Sequence, residues 1–219
     1  PPKLYSLFLP FLYKKEMEQA DVYKTNQMAG SWTAVIASRL YKKPLIGRCG
    51  CEWLYVMEQR DMAKWKLFLA ALLEDIAYRA ATKVVVTASE IKSFVEQRFG
   101  IESSKIQIIP NYIDTERFCS SDISKEKGKI VFVGKLEEQK NLFQLIEAVA
   151  GLDVQLHIIG QGSQRKELQQ FATEKGSDVI FRGTIPQENL VEELHTARVF
   201  VLPSLYEGNP KALLEAMAC

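Results

Sequence analysis

The sequence has few of the residues that bind metals. Its 219 residues include four cysteines and two histidines, and only Cys49 and Cys51 have C-x-C spacing. Without a nearby histidine or a second cysteine pair, this spacing does not indicate a zinc site. We therefore predict that the chain binds no metal. Thiols that stay free or buried are typical of a reducing compartment.

The sequence also lacks a charge excess and a long apolar run. Lys and Arg number 28 against 27 Asp and Glu, which argues against a nucleic-acid partner but leaves room for a local site for a small anion. The apolar run at 67–73 is far too short to span a bilayer. The apolar segment within residues 1–16 has no basic start and no small-residue cleavage site, so it is a poor signal peptide.

The second half of the sequence alternates strand-like and helix-like segments. Nearly all-apolar strands separated by helices indicate a parallel sheet that is covered on both faces. The predicted strands are 129–134, 154–160, 179–183 and 199–204, and the predicted helices are 141–152, 163–176, 187–197 and 210–218.

The first half repeats this alternation less regularly. We predict strands at 22–27, 44–49, 83–88 and 105–110, with helices near 29–42, 53–80 and 90–99. The polar, turn-rich stretch 110–128 is predicted to link the halves. The fold class is therefore α/β, with two Rossmann-like domains at 1–116 and 117–219 whose ligands bind at the C-terminal ends of the strands.

Two glutamates flank a predicted helix start in the closing stretch "LPSLYEGNPKALLEAMAC". Asn209 suits an N-cap and Pro210 a first helical position, and a helix N-terminus favours a phosphate. Glu207 precedes this start and Glu215 follows eight residues later, so an elongated ligand with sugar hydroxyls could contact both. Alternatively, Glu207 only complements the helix dipole and Glu215 is a solvated helix residue.

Two loops that follow predicted strands contain further candidates. In "VGKLEEQKN", Lys135 and Lys140 could bind a diphosphate or could be solvated surface lysines. In "IIGQGSQRKEL", Gly160 and Gly162 suit a close approach to a nucleotide or a tight turn. Arg165 replaces the third glycine of G-x-G-x-x-G, which disfavours an NAD-dependent dehydrogenase.

These segments, together with "IQIIPNYIDTERF" and "VIFRGTIPQENLVEEL", resemble retaining glycosyltransferases of family 4 in content and order. The resemblance is strong over residues 80–219 and looser over 20–79. It implies a GT-B fold, in which two Rossmann-like domains with parallel sheets face each other across a cleft. It also implies that this chain lacks both ends of such an enzyme, so that both domains are incomplete.

The resemblance implies a role for each matching residue. Lys135 and Lys140 match the pair that holds the donor diphosphate, although the first is often Arg in the family. Glu207 matches the glutamate at the transferred sugar, and Glu215 the one at the ribose hydroxyls. The remaining donor-binding positions would surround the nucleotide, phosphates and sugar: Gly134, Gly160, Gly162, Gly183, Thr184, Ile185, Gly208, Asn209 and Lys211.

The implied reaction moves a hexosyl-type sugar from a nucleotide-diphospho-sugar, of UDP or GDP type, to an acceptor with retention of anomeric configuration. Lysines and a helix N-terminus would stabilise the leaving diphosphate. The sequence has no D-x-D motif, which fits charge handling by lysine without a metal or another cofactor. The implied acceptor is a glycan, a lipid-linked sugar or a small molecule. The implied location is the cytoplasm, with possible contact at the inner face of the membrane.

Two features leave alternatives open. Gly50 stands where the family often has a histidine, so acceptor activation falls to the weaker candidates Arg48, Glu52 and Trp53. A sugar-nucleotide-binding protein without turnover therefore remains an alternative, as does a GT-B epimerase, which the spacing of the two glutamates disfavours. The segment 51–81 mixes Trp, Lys and Arg with an apolar stripe, which is compatible with membrane contact or with a plain packed helix.

Overall fold

The computed structural model describes residues 2–50, 54, 57–58 and 62–219, which form two compact units, Pro1–Asn111 and Tyr112–Cys219. The division falls a few residues before the predicted boundary at 116, because the start of the predicted linker packs on the second unit. The Asp114 carboxylate accepts the N–H of Glu116 at 3.1 Å and closes a turn, after which Phe118 is buried among residues of the second unit.

The first unit contains a four-stranded parallel sheet. Its strands lie side by side in chain order, and all four predicted strands are present, each shorter than predicted. They are β1 (Tyr23–Lys24), β2 (Leu45–Cys49), β3 (Lys83–Val86) and β4 (Ile106–Ile108).

Five described helices accompany this sheet. Their bounds are α1 (Pro2–Leu12), α2 (Lys14–Gln19), α3 (Trp32–Tyr41), α4 (Lys64–Ala80) and α5 (Ser89–Phe99). Helices α1 and α2 were not predicted, because the opening apolar segment was considered only as a possible leader. In the helix predicted near 53–80, Met62 and Ala63 are not helical, so α4 begins at Lys64, and part of the stretch before them lies outside the described residues. The core of the unit includes Val84 and Val86 of β3, both fully buried.

The second unit contains another four-stranded parallel sheet, in the order β7-β6-β5-β8. Strand β8 ends before residue 204, where the predicted strand ended. Val201 donates to the Val131 carbonyl at 2.9 Å, but the ladder stops there because Pro203 has no N–H. The elements of this unit are β5 (Lys129–Val133), α6 (Leu142–Val149), β6 (Gln155–Ile159), α7 (Arg165–Lys175), β7 (Val179–Gly183), α8 (Gln187–Thr196), β8 (Val199–Phe200) and α9 (Lys211–Ala218).

Side chains alternate between the two faces of this second sheet. Phe132 and Ile158 pack with α6 and α7 on one face, whereas Val131 and Ile159 pack with α8 and α9 on the other. Both faces are therefore covered, which explains why the strands read as nearly continuous apolar runs.

A buried charged cluster lies at the start of β5. The Lys129 ammonium donates to Glu126 at 3.0 Å and Thr196 at 2.6 Å, and it forms an ion pair with Glu193 at 3.1 Å. Glu193 also accepts from His157 at 3.0 Å. Burial would raise the pKa of Glu193, but the hydrogen bonds from His157 and Lys129 outweigh it and hold that pKa below its usual range. The contacts of Glu193 with Lys129 and His157 therefore contribute their full stability only while Glu193 is ionised.

Candidate donor site

The order of the second sheet marks where a ligand would bind. Strand β6 lies on one side of β5 and β8 on the other, and the helices that follow β5 and β8, α6 and α9, cover opposite faces of the sheet. In open parallel sheets, ligands bind at such a switch point, beyond the C-terminal ends of the strands. The loops that leave this point are 134–141, after β5, and 201–210, after β8.

These two loops bring Lys140 and Glu207 together. A single 3-10 turn, Glu138–Lys140, is followed by Asn141 with a positive φ of 53°. This geometry directs the Lys140 ammonium to a direct ion pair with Glu207. Their side chains are 17% and 23% exposed, so water screens the pair only partly. Two candidates that are 67 residues apart in sequence thus share one site.

Gly134 lies beside the Lys140 side chain. A Cβ atom at this position would be 3.7 Å from Lys140 Cε and 2.9 Å from a ring carbon of Phe132. The contact with the lysine would be an ordinary one, so glycine is needed here to avoid overlap with the Phe132 ring.

Gln139 also joins the two loops, and it was not among the predicted site residues. Its side-chain Nε2 donates to the Tyr206 carbonyl at 2.8 Å, and its own carbonyl accepts the Leu205 N–H at 2.9 Å. No sequence signal singles out this glutamine within a polar loop, because only the fold places it opposite residues 205–206.

Lys135 does not join this pair. Its side chain is 78% exposed, and its ammonium lies 3.9 Å from Glu137, an exposed contact that contributes little stability. It lines an open cleft of about 680 Å³ together with Glu137, Gln161, Gly162 and Arg165. The two lysines that were predicted to act together are therefore separated: Lys140 pairs with Glu207, and Lys135 lines the neighbouring cleft.

Arg165 is a second residue that the sequence prediction did not include in the site. Its guanidinium donates to the Phe181 carbonyl at 3.2 Å and reaches the edge of Gly183. Arg165 and Lys166 open α7, although cations in a first helical turn oppose the helix dipole. Glu167 in the same turn offsets part of this charge, so the sequence of the helix start does not single out Arg165.

Gly160 and Gly162 hold two loops in close contact. A Cβ atom at Gly160 would lie 1.9 Å from the Gly134 carbonyl oxygen, and one at Gly162 would lie 2.2 Å from the Leu136 carbonyl oxygen. Backbone hydrogen bonds join the same segments, including Leu136 N–H to Gln161 O at 3.0 Å. These glycines therefore have a packing role that exists without any ligand.

Three of the predicted donor-binding positions, 183–185, lie at the end of β7 and directly after it. Gly183 is buried with a φ of +70°, and its carbonyl accepts the Gly160 N–H at 2.8 Å. Thr184 is exposed, whereas Ile185 packs against the core that α8 and α9 cover. The backbone at 183–184 is therefore fixed by its neighbours at the C-terminal edge of the sheet.

Helix α9 begins one residue later than predicted. Lys211 is its first residue and Pro210 takes the N-cap position, so Asn209 is not the cap. The Pro210 carbonyl already accepts the Leu213 and Leu214 N–H groups at 3.2 and 3.4 Å, which starts the helical pattern. Gly208 precedes Asn209 in the turn before this helix. The Lys211 ammonium lies 5.0 Å from the centre of the Tyr112 ring.

Glu215 lies inside α9 and is partly buried. Burial raises the pKa of this carboxyl above its usual range, and the Lys211 charge one turn earlier offsets part of that effect. A partly shielded carboxylate can accept two hydroxyl hydrogen bonds more strongly than a fully hydrated one.

Other candidates have structural contacts. His157 and His195 are both buried, and the Nε2 atom of His195 lies 2.8 Å from the Cys119 carbonyl. In the first unit, Arg48 donates to Asn111 at 2.9 Å. The Gly50 carbonyl accepts from Thr87 at 3.1 Å. The acceptor-side candidates Glu52 and Trp53 lie outside the described residues.

The described residues contain neither a cluster of metal-binding side chains nor a membrane-spanning helix. No group of three or more His, Cys, Asp or Glu residues in this part of the chain lies close enough to hold a metal ion. None of the helices described here is both long and apolar enough to cross a membrane.

Family models match both units. The model described as Glycosyltransferase Family 4 matches residues 1–117, and the model described as Glycosyl transferases group 1 matches residues 114–219. One relative is the UDP-Gal:alpha-D-GlcNAc-diphosphoundecaprenol alpha-1,3-galactosyltransferase of Escherichia coli. It is 26% identical over 94% of this chain and 58% of its own length.

Solved structures match the fold over nearly the whole chain. Sucrose-phosphate synthase from Thermosynechococcus elongatus superimposes with a TM-score of 0.83 at 19% identity, over 100% of this chain and 60% of that protein. HepE of Anabaena, in complex with UDP and glucose, gives a TM-score of 0.76 at 18% identity, over 96% of this chain and 60% of that protein. The predicted α/β class with two parallel sheets of GT-B type is thereby confirmed. The chain spans about 60% of the length of these proteins.

Proposed function

The chain belongs to Glycosyltransferase Family 4, and from this premise we propose that its second unit binds a nucleotide-diphospho-sugar. We further propose that the full-length protein transfers the sugar to an acceptor with retention of anomeric configuration. The observation that carries the proposal is the Lys140–Glu207 pair at the switch point of the second sheet, one turn before the start of α9.

The proposed chemistry follows from the charges at this site. Transfer breaks the bond between the anomeric carbon and the phosphate oxygen, so negative charge develops on the diphosphate and positive charge on the sugar. Lys140 and the N-terminus of α9 stabilise the negative charge, and Glu207 supports the positive charge. These charges are arranged before the donor binds, so little reorganisation is needed during the reaction.

The rest of the donor lies along the same sheet edge in this proposal. Glu215 accepts the ribose hydroxyls, and the backbone from Gly183 to Ile185 contacts the base. Lys135 and Arg165 supply positive charge in the neighbouring cleft. The acceptor hydroxyl attacks from the face that the diphosphate leaves, and its proton passes to the departing phosphate oxygen. No protein residue is assigned as a catalytic base, and no metal or other cofactor is required.

The proposed acceptor is a glycan or a lipid-linked sugar, and contact with a membrane surface is part of the proposal. Helix α4 exposes an apolar stripe at helical spacing, with lysines at its start, which suits an anionic interface. The E. coli relative is named for an undecaprenol-linked substrate, which supports the same acceptor class. The stripe consists of Trp65, Phe68, Leu69, Leu72 and Ile76.

Donor binding is tested first. The full-length protein is titrated with UDP, GDP, ADP and dTDP sugars, beginning with UDP because HepE was solved with UDP. Transfer is then followed with a radiolabelled donor. We expect Lys140→Ala and Glu207→Ala each to reduce turnover at least ~100-fold, the effect of losing one preorganised electrostatic group.

A matched control pair lies in the same unit. Lys175 and Glu147 form an exposed ion pair at 2.5 Å on helices α7 and α6, away from the switch point, so alanine there should leave turnover unchanged. Near-normal turnover of either site variant would refute the assignment. Tight donor binding without transfer to any acceptor would favour the alternative of a binding protein, for which Gly50 is the motivating feature.

A further inference from the structure

The loop that bears Glu207 has no regular secondary structure of its own. Strand β8 ends at Phe200 and α9 begins at Lys211, and the residues between them form neither helix nor strand. A carboxylate that supports charge in a transition state must be held within about half an ångström of its productive position. Contacts from outside the loop must therefore fix its position.

The loop after β5 supplies these contacts in register. Gln139 accepts from the N–H of Leu205, and its side chain donates to the carbonyl of Tyr206. The next residue, Lys140, pairs with Glu207. Residues 205–207 of the loop after β8 are thus held by Gln139 and Lys140 of the loop after β5, as in a short pair of strands.

Each contact contributes something different. The bond from the Leu205 N–H to the Gln139 carbonyl is made by the main chain and does not depend on the side chain at 139, and the ion pair joins the ends of two long side chains. The side-chain amide of Gln139 contacts the peptide that directly precedes Glu207. Its bond is partly buried, so a variant that lacks the donor leaves the Tyr206 carbonyl without this partner.

We propose that Gln139 is a positioning residue that sets the place of the Glu207 carboxylate through the Tyr206 peptide. The inference rests on the proposed function, since it assigns Glu207 a role in transfer. It predicts that the Gln139 side chain affects the chemical step more than donor binding, because Glu207 acts on charge that develops only in the transition state.

The test is a double-mutant cycle in the full-length protein. Gln139→Met keeps the length of the side chain and removes its donor. We expect kcat to fall about 10- to 100-fold, because a misplacement near 1 Å has effects of this size, while KM for the donor changes less than about threefold. The Gln170→Met variant, on an exposed position of α7, is the matched control and should match the wild type.

The double-mutant cycle distinguishes the positioning role of Gln139 from the proposed role of Glu207 in transfer. If Gln139 acts through Glu207, adding Gln139→Met to Glu207→Gln should lower kcat by less than about twofold, because the two residues form one unit. Losses that multiply in the double variant would overturn the positioning role and leave the proposed function intact. Normal turnover of Glu207→Gln alone would overturn the proposed function and this inference with it.

Folding is monitored in parallel. The thermal midpoint of Gln139→Met should lie within about 2 °C of the wild type, which is less than the shift expected for a loss of about 1 kcal/mol in stability. A reduced kcat in this variant is then not caused by unfolding. If that variant is unstable, Gln139→Glu replaces it, since it has the same shape, lacks the donor and should give the same loss in kcat. Wild-type kcat in a folded Gln139→Glu protein would overturn the inference.

Discussion

Alanine at Gly160 should unfold the second unit more readily through two separable effects. The backbone at Gly160 has a φ of +139°, and a Cβ atom there would lie 1.9 Å from the Gly134 carbonyl oxygen. The first effect is strain, about 1–3 kcal/mol for a non-glycine residue in such a region. The second is a steric overlap with main chain, for which about 1–3 kcal/mol is typical and more is possible.

Two other glycines separate these effects. Gly176, at the end of α7, has a φ of +65° and open space around its Cβ position, so Gly176→Ala tests strain alone. We expect it to cost about 1–2 kcal/mol. Gly162 is not among the positive-φ glycines, but its Cβ would lie 2.2 Å from the Leu136 carbonyl oxygen, so Gly162→Ala tests overlap. We expect about 3 kcal/mol for it and about 4–5 kcal/mol for Gly160→Ala.

The assay must report on the second unit. All three tryptophans, at 32, 53 and 65, belong to the first unit, so tryptophan fluorescence is unsuitable. Hydrogen exchange of peptides from 129–183 in urea gives the free energy of unfolding directly. If Gly160→Ala and Gly162→Ala bound donor poorly but matched the stability of Gly176→Ala, the packing argument would be wrong and the glycines would serve only the ligand.

Glu193 and Glu215 of the second unit have shifted pKa values with measurable effects. Glu193→Ala leaves Lys129 and His157 without their shared carboxylate and should lower the free energy of unfolding by about 3–5 kcal/mol, measured by urea denaturation. As a control, Glu147→Ala removes one partner of an exposed ion pair and should lower the free energy of unfolding by less than about 1 kcal/mol. Because the folded-state pKa of Glu193 is lowered, its stabilisation is present above the unfolded pKa and is lost as pH falls through the folded pKa; equal acid sensitivity of the wild type and Glu193→Gln would contradict this. The raised pKa of Glu215 means that it protonates at a pH above the usual glutamate range, so affinity for a UDP-sugar should fall there on acidification, and calorimetric titration of Glu215→Gln should show no such pH dependence.

The position of the candidate residues at one edge of the sheet was predictable, because the sequence places them directly after strands. Apolar runs of strand length separated by helices determine a parallel sheet, and the ends of those strands share one edge. Lys140, Glu207 and Glu215 all lie at such ends or in the helix that follows. Helices α1 and α2 escaped prediction because an apolar opening segment has the same composition in a leader as in a packed helix.

The sequence by itself determined that two parallel sheets form and which segments belong to each. Local backbone preferences and the burial of alternating faces are encoded in neighbouring residues. Only the tertiary structure decided that Lys140 pairs with Glu207 while Lys135 remains exposed beside Arg165, and that Gln139 contacts Tyr206. The physical reason is that strand order, which places β8 beside β5, sets which loops meet across 67 residues of chain.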